Sequence, residues 1–508
     1  MLDAEQQFLH AIQAEPDADA PRLVYADWLG ERGDPRGELI TVQCALERRD
    51  LAPEQRAALA RRSAELAPRV PERAFQLALP VHTSVADNVA AWSRGFVPAR
   101  TIWCRTEDFF DRKDELFRLA PCARELRLSA SGVHAPWREV LADPDVARWR
   151  GLCGIRMWLV PALPEHAHLA ALRRLAFEAD EDEDPEVLEP LLASECLPAL
   201  TALAIHGPAI DGYAPGLRTL PVEHWRRAAF ATELREFTGE MVDSLAAFPK
   251  LERYSGYFYG NDAARELVAG SRLRTLRLGP FGDDEPLDLA TLDALCTPAL
   301  ETLALSLDRV TRHTSAGWRA LDRSPLHTLA LRGRWLDDGL LLALAGGPRL
   351  SGLRALRLDG PASDAALDAL IAVLDAPQLE ELDLGLEPRA ADRVARFVAR
   401  CPRLRRLRCG VAEDIPAVLA RGELARLEVL ELRARYTGRF VAAPPPALRL
   451  LQLLDRPAAH ERDTRADGWA RTQGFQVLPS YDRDIRTFAR LGPGFWTWAA
   501  SFLLNRTS

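Results

Sequence analysis

One short apolar pattern, L-x-x-L-x-L, recurs eight times between Leu273 and Leu453, with Cys in place of the last Leu in one copy. The copies begin at Leu273, Leu300, Leu326, Leu353, Leu379, Leu404, Leu427 and Leu448. Successive copies start 21 to 27 residues apart, which leaves room for one strand and one return segment. Because such a unit cannot bury its apolar face alone, it must stack on its neighbours, and the pattern predicts a solenoid.

This pattern resembles the leucine-rich repeat, and the resemblance implies an α/β solenoid of the ribonuclease-inhibitor-like horseshoe type. The return segments favour the helical kind of repeat. One of them carries apolar residues at i, i+3, i+4 and i+7, namely Leu367, Leu370, Ile371 and Leu374. Cys401 falls at the position of Leu374 in the next segment, and Cys409 ends a strand where other copies have Leu. We therefore interpret both thiols as core residues.

Weaker copies of the pattern precede Leu273. Strands are predicted from Arg100 and Glu125, and again at Leu172 and Leu200. From about 207 to 260 the third apolar position is lost, which indicates irregular repeats. We assign residues 96–480 to the solenoid and 481–508 to a C-terminal cap segment.

The N-terminal residues predict helices at 2–14, from Pro21 to Gly33 and from Arg36 to about Arg49. The segment DAPRLVYADWLGERGDPRGE at 19–38 closely resembles the repeat-companion domain of bacterial repeat proteins, and WSRGFV at 92–97 is similar to the stretch that leads into their first strand. The resemblance implies a small helical domain, which we place at 1–50, and a cytoplasmic bacterial setting. The polar, Ala- and Arg-rich helix that follows predicts a helical linker and N-terminal cap at 51–95. The resemblance implies no chemistry, so no catalytic residue is carried over.

Composition agrees with a soluble folded protein. The net charge of -8 disfavours a protein that coats nucleic acid, and the eight cysteines are dispersed, as reduced cytoplasmic thiols would be. The first residues, MLDAEQQ, carry no export signal. The apolar run Phe495–Leu504 is too short to span a membrane. We interpret it as a lid on the last repeat, with a docking segment as the alternative.

Motifs with strong chemical meaning are missing from the sequence. It contains no GxxxxGK[ST] phosphate loop, no HExxH and no GxSxG elbow. His166 and His168 have no cysteine at metal-ligand spacing. We expect no metal and no cofactor. His206 follows a strand and leaves an atypical hydrolase open as an alternative of another class.

The outward strand positions carry the candidate site. Strand alternation turns the residue between the last two leucines away from the core, together with the residues that flank this pair. The charged members are Arg277, Arg332, Arg357, Asp359, Glu381, Asp383, Arg406, Arg408, Glu431 and Arg433. Charges of both signs suit a protein partner. The alternative is a solvated face whose charges pair with each other.

Nucleic acid is the less favoured partner. The basic run from Arg400 to Arg408 has no interleaved aromatic residues, and Glu381, Asp383 and Glu431 would repel phosphates. The sequence therefore predicts a non-enzymatic recognition or scaffold protein that binds another protein on the concave face, as a monomer or within a hetero-complex. An inhibitor or regulatory subunit of a protease or nuclease, in a bacterial signalling or defence system, is the alternative.

Overall fold

The computed structural model describes most of the chain from residue 4 to residue 489. The described residues are 4–15, 18–48, 51–66, 94–96, 101–130, 136–179, 185–206, 222–239, 244–258, 260–281, 287–307, 318–333, 336, 338–346, 350–360, 363–373, 376–389, 391–411, 422–434, 447–454, 476–478 and 485–489. Among them, no helix is long and apolar enough to cross a membrane. The run Phe495–Leu504 lies outside this set.

The described N-terminal residues are helical. Helices α1 to α4 span Ala4–Ala14, Ala20–Gly30, Pro35–Leu46 and Pro53–Leu66. Proline stands at the start of α2 and α3, and the Asp34 side chain caps α3 by accepting a hydrogen bond from the Arg36 amide at 2.9 Å. The predicted second helix ends earlier than expected because Gly33 adopts a φ of 72° and turns the chain.

Parallel strands follow one another through the rest of the chain. Strands β1 to β17 are Thr101–Arg105, Glu125–Ser129, Gly151–Arg156, Arg174–Glu178, Ala202–His206, Glu236–Thr238, Arg253–Phe258, Thr275–Phe281, Thr302–Ser306, Thr328–Arg332, Ala355–Asp359, Glu381–Arg389, Arg406–Val411, Val429–Ala434, Leu450–Leu454, Gln476–Leu478 and Ile485–Ala489. Strands β1 to β15 pair in chain order and in parallel, whereas β17 pairs antiparallel with both β15 and β16.

Helical segments connect the strands. Helices α5 to α13 are Phe109–Leu119, Trp137–Ala142, Glu189–Leu192, Val222–Arg227, Asn261–Val268, Leu289–Leu295, Asp338–Gly346, Asp364–Val373 and Ala391–Arg400. Shorter 3-10 helices are Thr106–Asp108, Pro144–Arg148, Met157–Glu165, Ala167–Ala171, Pro185–Leu188, Leu245–Ala247, Arg319–Arg323, Leu350–Gly352 and Gly422–Arg426.

The strand register aligns the repeats with one another. The second Leu of each copy lies beside the second Leu of the next, from Leu276 in β8 to Leu451 in β15. These leucines, with Cys401 and Cys409, are buried in one core that continues from Leu9 to Leu451. The predicted α/β leucine-rich-repeat solenoid with an N-terminal helical region is confirmed, and so is the core position of both cysteines. The domain boundaries stay predictions.

The irregular repeats owe their lost pattern to aromatic residues. In β6 and β7 the second Leu position holds Phe237 and Tyr254, whose rings stack at 6.1 Å between centroids. The Tyr254 hydroxyl donates to the Gly239 carbonyl at 3.0 Å. Gly256 aligns with Leu278, and a Cβ there would meet the Tyr254 ring. The large ring thus fills the space that a third Leu occupies elsewhere.

The N-terminal helices pack directly on the first repeats. The His10 and Phe117 rings lie 5.0 Å apart, and the Arg148 guanidinium lies 5.2 Å above the Phe117 ring. Gln13 donates to the Arg148 carbonyl. Helices α1 and α5 therefore share a contact that covers the beginning of the solenoid core.

Candidate functional site

Two rows of side chains alternate with the buried leucines and lie on the opposite face of the sheet, which we call the outward face. Row 1 precedes the second Leu and comprises Glu125, Gly151, Arg174, Ala202, Glu236, Arg253, Thr275, Thr302, Thr328, Ala355, Glu381, Arg406 and Val429. Row 2 follows it and comprises Arg127, Cys153, Ala176, Ala204, Thr238, Ser255, Arg277, Ala304, Ala330, Arg357, Asp383, Arg408 and Glu431. Side chains of one row are therefore neighbours across the strands.

Near the C-terminal end, one ion pair of the outward face is almost fully covered. Arg406 Nη2 lies 2.8 Å from Glu431 Oε1, and the two side chains are 8% and 1% exposed. Arg406 Nε donates to the same oxygen at 3.2 Å. A buried pair of this kind is a poor contact for a partner, because neither side chain is accessible.

Four more charges complete a neutral network around this pair. Arg408 donates to Asp383 at 3.0 Å and lies 3.8 Å from Glu431, while Glu381 lies 3.8 Å from Arg406 and 3.5 Å from Arg357. Burial alone would lower the pKa of Arg408, but the charges of Asp383 and Glu431 outweigh burial and raise this pKa. Three arginines and three carboxylates thus balance one another's charge, although the buried Arg408 Nε makes no hydrogen bond to any residue that the structure describes.

The predicted charged set therefore divides by exposure. Arg332 is 70% exposed and pairs with Asp359 at 3.5 Å, and Arg357 is 41% exposed. These three residues lie open to a partner, in contrast to Arg406 and Glu431. For Arg433 the structure describes the strand position in β14 but not the side chain.

Strands β2 to β9 form a groove of about 670 Å³ on the outward face. Its floor contains the small, buried row 2 residues Cys153 and Ala176, and Ala204 packs with them as the next member of the row. Because these side chains are short, the longer side chains of row 1 stand above them as a wall. The structure therefore offers a depression that the predicted site reached only at Arg277.

The wall of the groove is a chain of ion pairs. Arg174 lies 3.7 Å from Glu125 and 2.9 Å from Glu236, and Arg253 holds the second Glu236 oxygen at 2.8 Å. Burial would raise the pKa of Glu236, but Arg174 and Arg253 together lower it. Arg127, which lines the groove from row 2, pairs with Glu178 at 3.0 Å. The wall thus presents both signs of charge in fixed positions.

Arg277 lines the groove at its β8 end and differs from these arginines. Across the described residues, its guanidinium makes no hydrogen bond and no ion pair. Burial, followed by the charge of Arg357, lowers its pKa, and Glu236 opposes this only in part. Of the ten predicted site residues, Arg277 alone belongs to the groove lining.

Among the histidines and thiols that the structure describes, none forms a nucleophile with an adjacent base. His206 ends β5 and lines the groove, where partial desolvation of its ring and the charge of Arg127 lower its pKa. Burial raises the pKa of the Cys153 thiol to about 11, and Glu125 adds to the rise. Such a thiol stays protonated and is a weak nucleophile. The His168 ring is bonded to the Leu141 carbonyl at 2.9 Å. Within the described part of the chain, no group of three metal-ligating side chains occurs.

Sequence reasoning missed the groove because the repeats before Leu273 are hard to align. The available signal was the alternation of Glu125, Arg174, Glu236 and Arg253 in row 1 above small residues in row 2. That alternation becomes visible only after the aromatic strands β6 and β7 are placed in register.

Repeat register, parallel sheet and leucine core define the chain as a leucine-rich-repeat solenoid. It is similar to a chain of the mouse RP105/MD-1 complex, with 14% identity, a TM-score of 0.34, and 66% of this chain and 58% of that chain covered. It is also similar to a chain of the TLR13–ssRNA13 complex, with 14% identity, a TM-score of 0.27, and coverage of 66% and 44%. The match thus spans about half the length of those proteins.

Neither protein-family models nor curated proteins match the sequence. The assignment of the fold therefore depends on the strand register and the core of this chain. The resemblance of residues 19–38 to the repeat-companion domain, and the bacterial origin it implies, stay predictions.

Proposed function

We propose that this protein is a non-enzymatic recognition or scaffold protein that binds a partner protein on the outward face of its solenoid. The observation that carries the proposal is the groove along β2 to β9, with an apolar floor and a wall of paired charges. Seven strand spacings give it a length of about 34 Å, enough for roughly ten residues of extended polypeptide.

The charges of the groove favour protein over nucleic acid. Glu125, Glu178 and Glu236 lie beside the arginines, and a phosphate backbone would be repelled by these carboxylates. A protein segment carries both signs of charge and can match both. The exposed residues Arg332, Arg357 and Asp359 extend the proposed surface beyond the groove. Arg406 and Glu431 are buried, so they act only through the charged neighbours that they contact.

The finer assignments are part of this proposal. A cytoplasmic protein that works as a monomer or within a hetero-complex agrees with the dispersed free thiols. An inhibitor or regulatory subunit of a protease or nuclease would use the same face, and the identity of the partner separates that role from a scaffold. The atypical hydrolase gains no support, because the described thiols that titrate abnormally all have a raised pKa.

The test blocks the groove without changing the charge of the chain. Ala204→Trp introduces a large ring between Ala176 and Thr238, two residues that line the groove. Ala399→Trp, on the exposed side of α13, is the matched control. Tagged variants are incubated with an extract of the source organism, and captured proteins are identified by mass spectrometry and then purified for a direct binding assay.

We expect one protein that binds the wild type and Ala399→Trp but loses affinity for Ala204→Trp. Its binding should weaken with added salt, since charges at an exposed rim are screened over roughly 8 Å at physiological ionic strength. If both tryptophan variants bind the partner equally well and melt at the wild-type temperature, the groove is not the binding surface.

A further inference from the structure

The neighbours of Arg277 in row 2 carry no negative charge that could pair with it. Its row 2 neighbours are Ser255 on one side and Ala304 on the other, followed by Ala330. The next charged residue in that row is Arg357, another cation. Glu236, the carboxylate of the groove wall whose charge acts on Arg277, already has both oxygens occupied by Arg174 and Arg253.

The polar groups around Arg277 are hydroxyls that can donate hydrogen bonds. Ser255 aligns with Arg277 across β7 and β8, and Thr275 precedes it by two residues and aligns with Thr302. All three hydroxyl side chains line the groove, and none makes a hydrogen bond in the part of the chain that the structure describes. A half-buried guanidinium beside three free hydroxyls is a donor set without an anion.

We propose that Arg277, with the hydroxyls of Ser255, Thr275 and Thr302, forms a binding site for a carboxylate of an acidic peptide segment that lies in the groove. The inference rests on the proposed function and deepens it by naming the chemistry of the bound segment. The guanidinium fork matches the two oxygens of a carboxylate, and the hydroxyls donate to the remaining lone pairs.

A single negative charge fits this site better than a phosphate dianion. Arg277 is the one cation of the groove lining, within the described residues, that has no carboxylate partner. One carboxylate neutralises it completely. Removing a carboxylate from water also costs less when a guanidinium and hydroxyls replace its hydration shell, which is the condition that Arg277 provides.

The test measures peptide binding directly. A fluorescein-labelled hexapeptide that alternates glutamate and glycine is titrated with the full chain, and fluorescence anisotropy is recorded. The neutral probe alternates glutamine and glycine. Arg277→Gln removes the unpaired charge, and Arg332→Gln, which lies on the same face and changes the net charge equally, is the matched control.

We expect the glutamate probe to bind and the glutamine probe not to bind. Arg277→Gln should weaken the glutamate probe about tenfold or more, since charge-assisted hydrogen bonds are among the strongest. Arg332→Gln should change it by about twofold at most, because an exposed charge contributes little. Arg277→Lys should fall between them, since a lysine keeps the charge but loses the planar fork.

A second readout separates binding from folding. An unpaired, half-buried cation does not stabilise the fold, so Arg277→Gln should melt at or above the wild-type temperature. A lower melting temperature would assign Arg277 a structural role instead. Equal weakening by Arg277→Gln and Arg332→Gln, or no binding of the glutamate probe by the wild type, would also overturn the proposal.

Inorganic phosphate is the competing probe. Phosphate that binds through Arg277 while the glutamate probe does not would reassign the site to phosphate. The two proposals can fail separately. If partner binding is lost in Ala204→Trp but kept in Arg277→Gln, the groove is supported as the binding surface and the carboxylate site is contradicted. If peptide binding depends on Arg277 but partner binding is kept in Ala204→Trp, the carboxylate site is supported and the groove is contradicted as the partner's binding surface.

Discussion

Arg406 and Glu431 occupy outward strand positions, yet both are buried. Their charges are tolerable there because Glu431 receives two hydrogen bonds from Arg406 at one oxygen, while Arg408 approaches the other at 3.8 Å. The gain in free energy from such a pair is small after desolvation, but the loss from breaking it is large.

Glu431→Leu should therefore lower the free energy of unfolding by about 3–5 kcal/mol, because it leaves Arg406 buried without its carboxylate. The double variant Arg406→Leu with Glu431→Leu should recover most of this loss. Urea denaturation gives both values. Asp359→Asn, which breaks an exposed pair, is the control and should cost about 1 kcal/mol or less. Equal losses for Glu431 and Asp359 would contradict the buried-pair interpretation.

The ionisation of Glu236 in the groove wall makes the stability of the fold depend on pH. Its pKa in the folded chain lies below the ordinary value of 4.5, because Arg174 and Arg253 outweigh the effect of burial. The unfolded chain therefore takes up the proton first as the pH falls. The stabilisation is present above the unfolded pKa and is lost as the pH falls through the folded pKa.

Glu236→Gln should remove this contribution, so that the variant is less stable than the wild type at neutral pH and loses less stability on acidification. Melting temperatures between pH 7 and pH 3 provide the measurement. Glu54→Gln, at an exposed position of α4, should leave the slope unchanged. A wild-type slope in Glu236→Gln would show that its pairs do not stabilise the folded state.

At the scale of elements, α2 and α3 cross closely at Gly37. A Cβ at this position would meet the Ala26 carbonyl oxygen and lie 2.9 Å from the Gly30 amide nitrogen. Both are backbone atoms that cannot move without separating the two helices. The small residue is therefore required by the helix contact.

Gly37→Ala should destabilise the chain by about 1–3 kcal/mol through this overpacking. Gly30→Ala, where a Cβ meets nothing within 4 Å, is the matched control and should be neutral or slightly stabilising. The measurement is the melting temperature of each variant, compared with that of the wild type. Similar melting temperatures would mean that α2 and α3 separate easily.

At the scale of the whole molecule, a solenoid must close its core at both ends. Helices α1 and α5 share the contact at the beginning, and β17 covers the edge of β15 at the other end. An uncovered strand edge pairs with other chains. The end of the solenoid is therefore the place where truncation should cause association.

A chain that ends at Leu454 should aggregate, because it lacks β17 and exposes the edge of β15. Light scattering during purification measures this. A chain that ends at Ala489 keeps β17 and lacks residues 495–504. The predicted lid requires that this chain aggregate as well, whereas a monomer with unchanged melting would favour the docking alternative.

The sequence by itself determined the solenoid. The eight leucine patterns place alternate side chains in the core, and the apolar spacing at i, i+3, i+4 and i+7 in the return segments before β12 and β13 predicts α-helices there. Cys401 and Cys409 could be assigned to the core for the same reason. These are local constraints, readable within one repeat.

Only the tertiary structure decided which outward residues are available to a partner. Arg277 is unpaired, and Arg406 is buried against Glu431, because each side chain meets residues about 25 positions away on neighbouring strands. The groove was hidden for a related reason, since Phe237 and Tyr254 replace leucines and obscure the register. Charge pairing and exposure depend on that register, and a single repeat does not contain it.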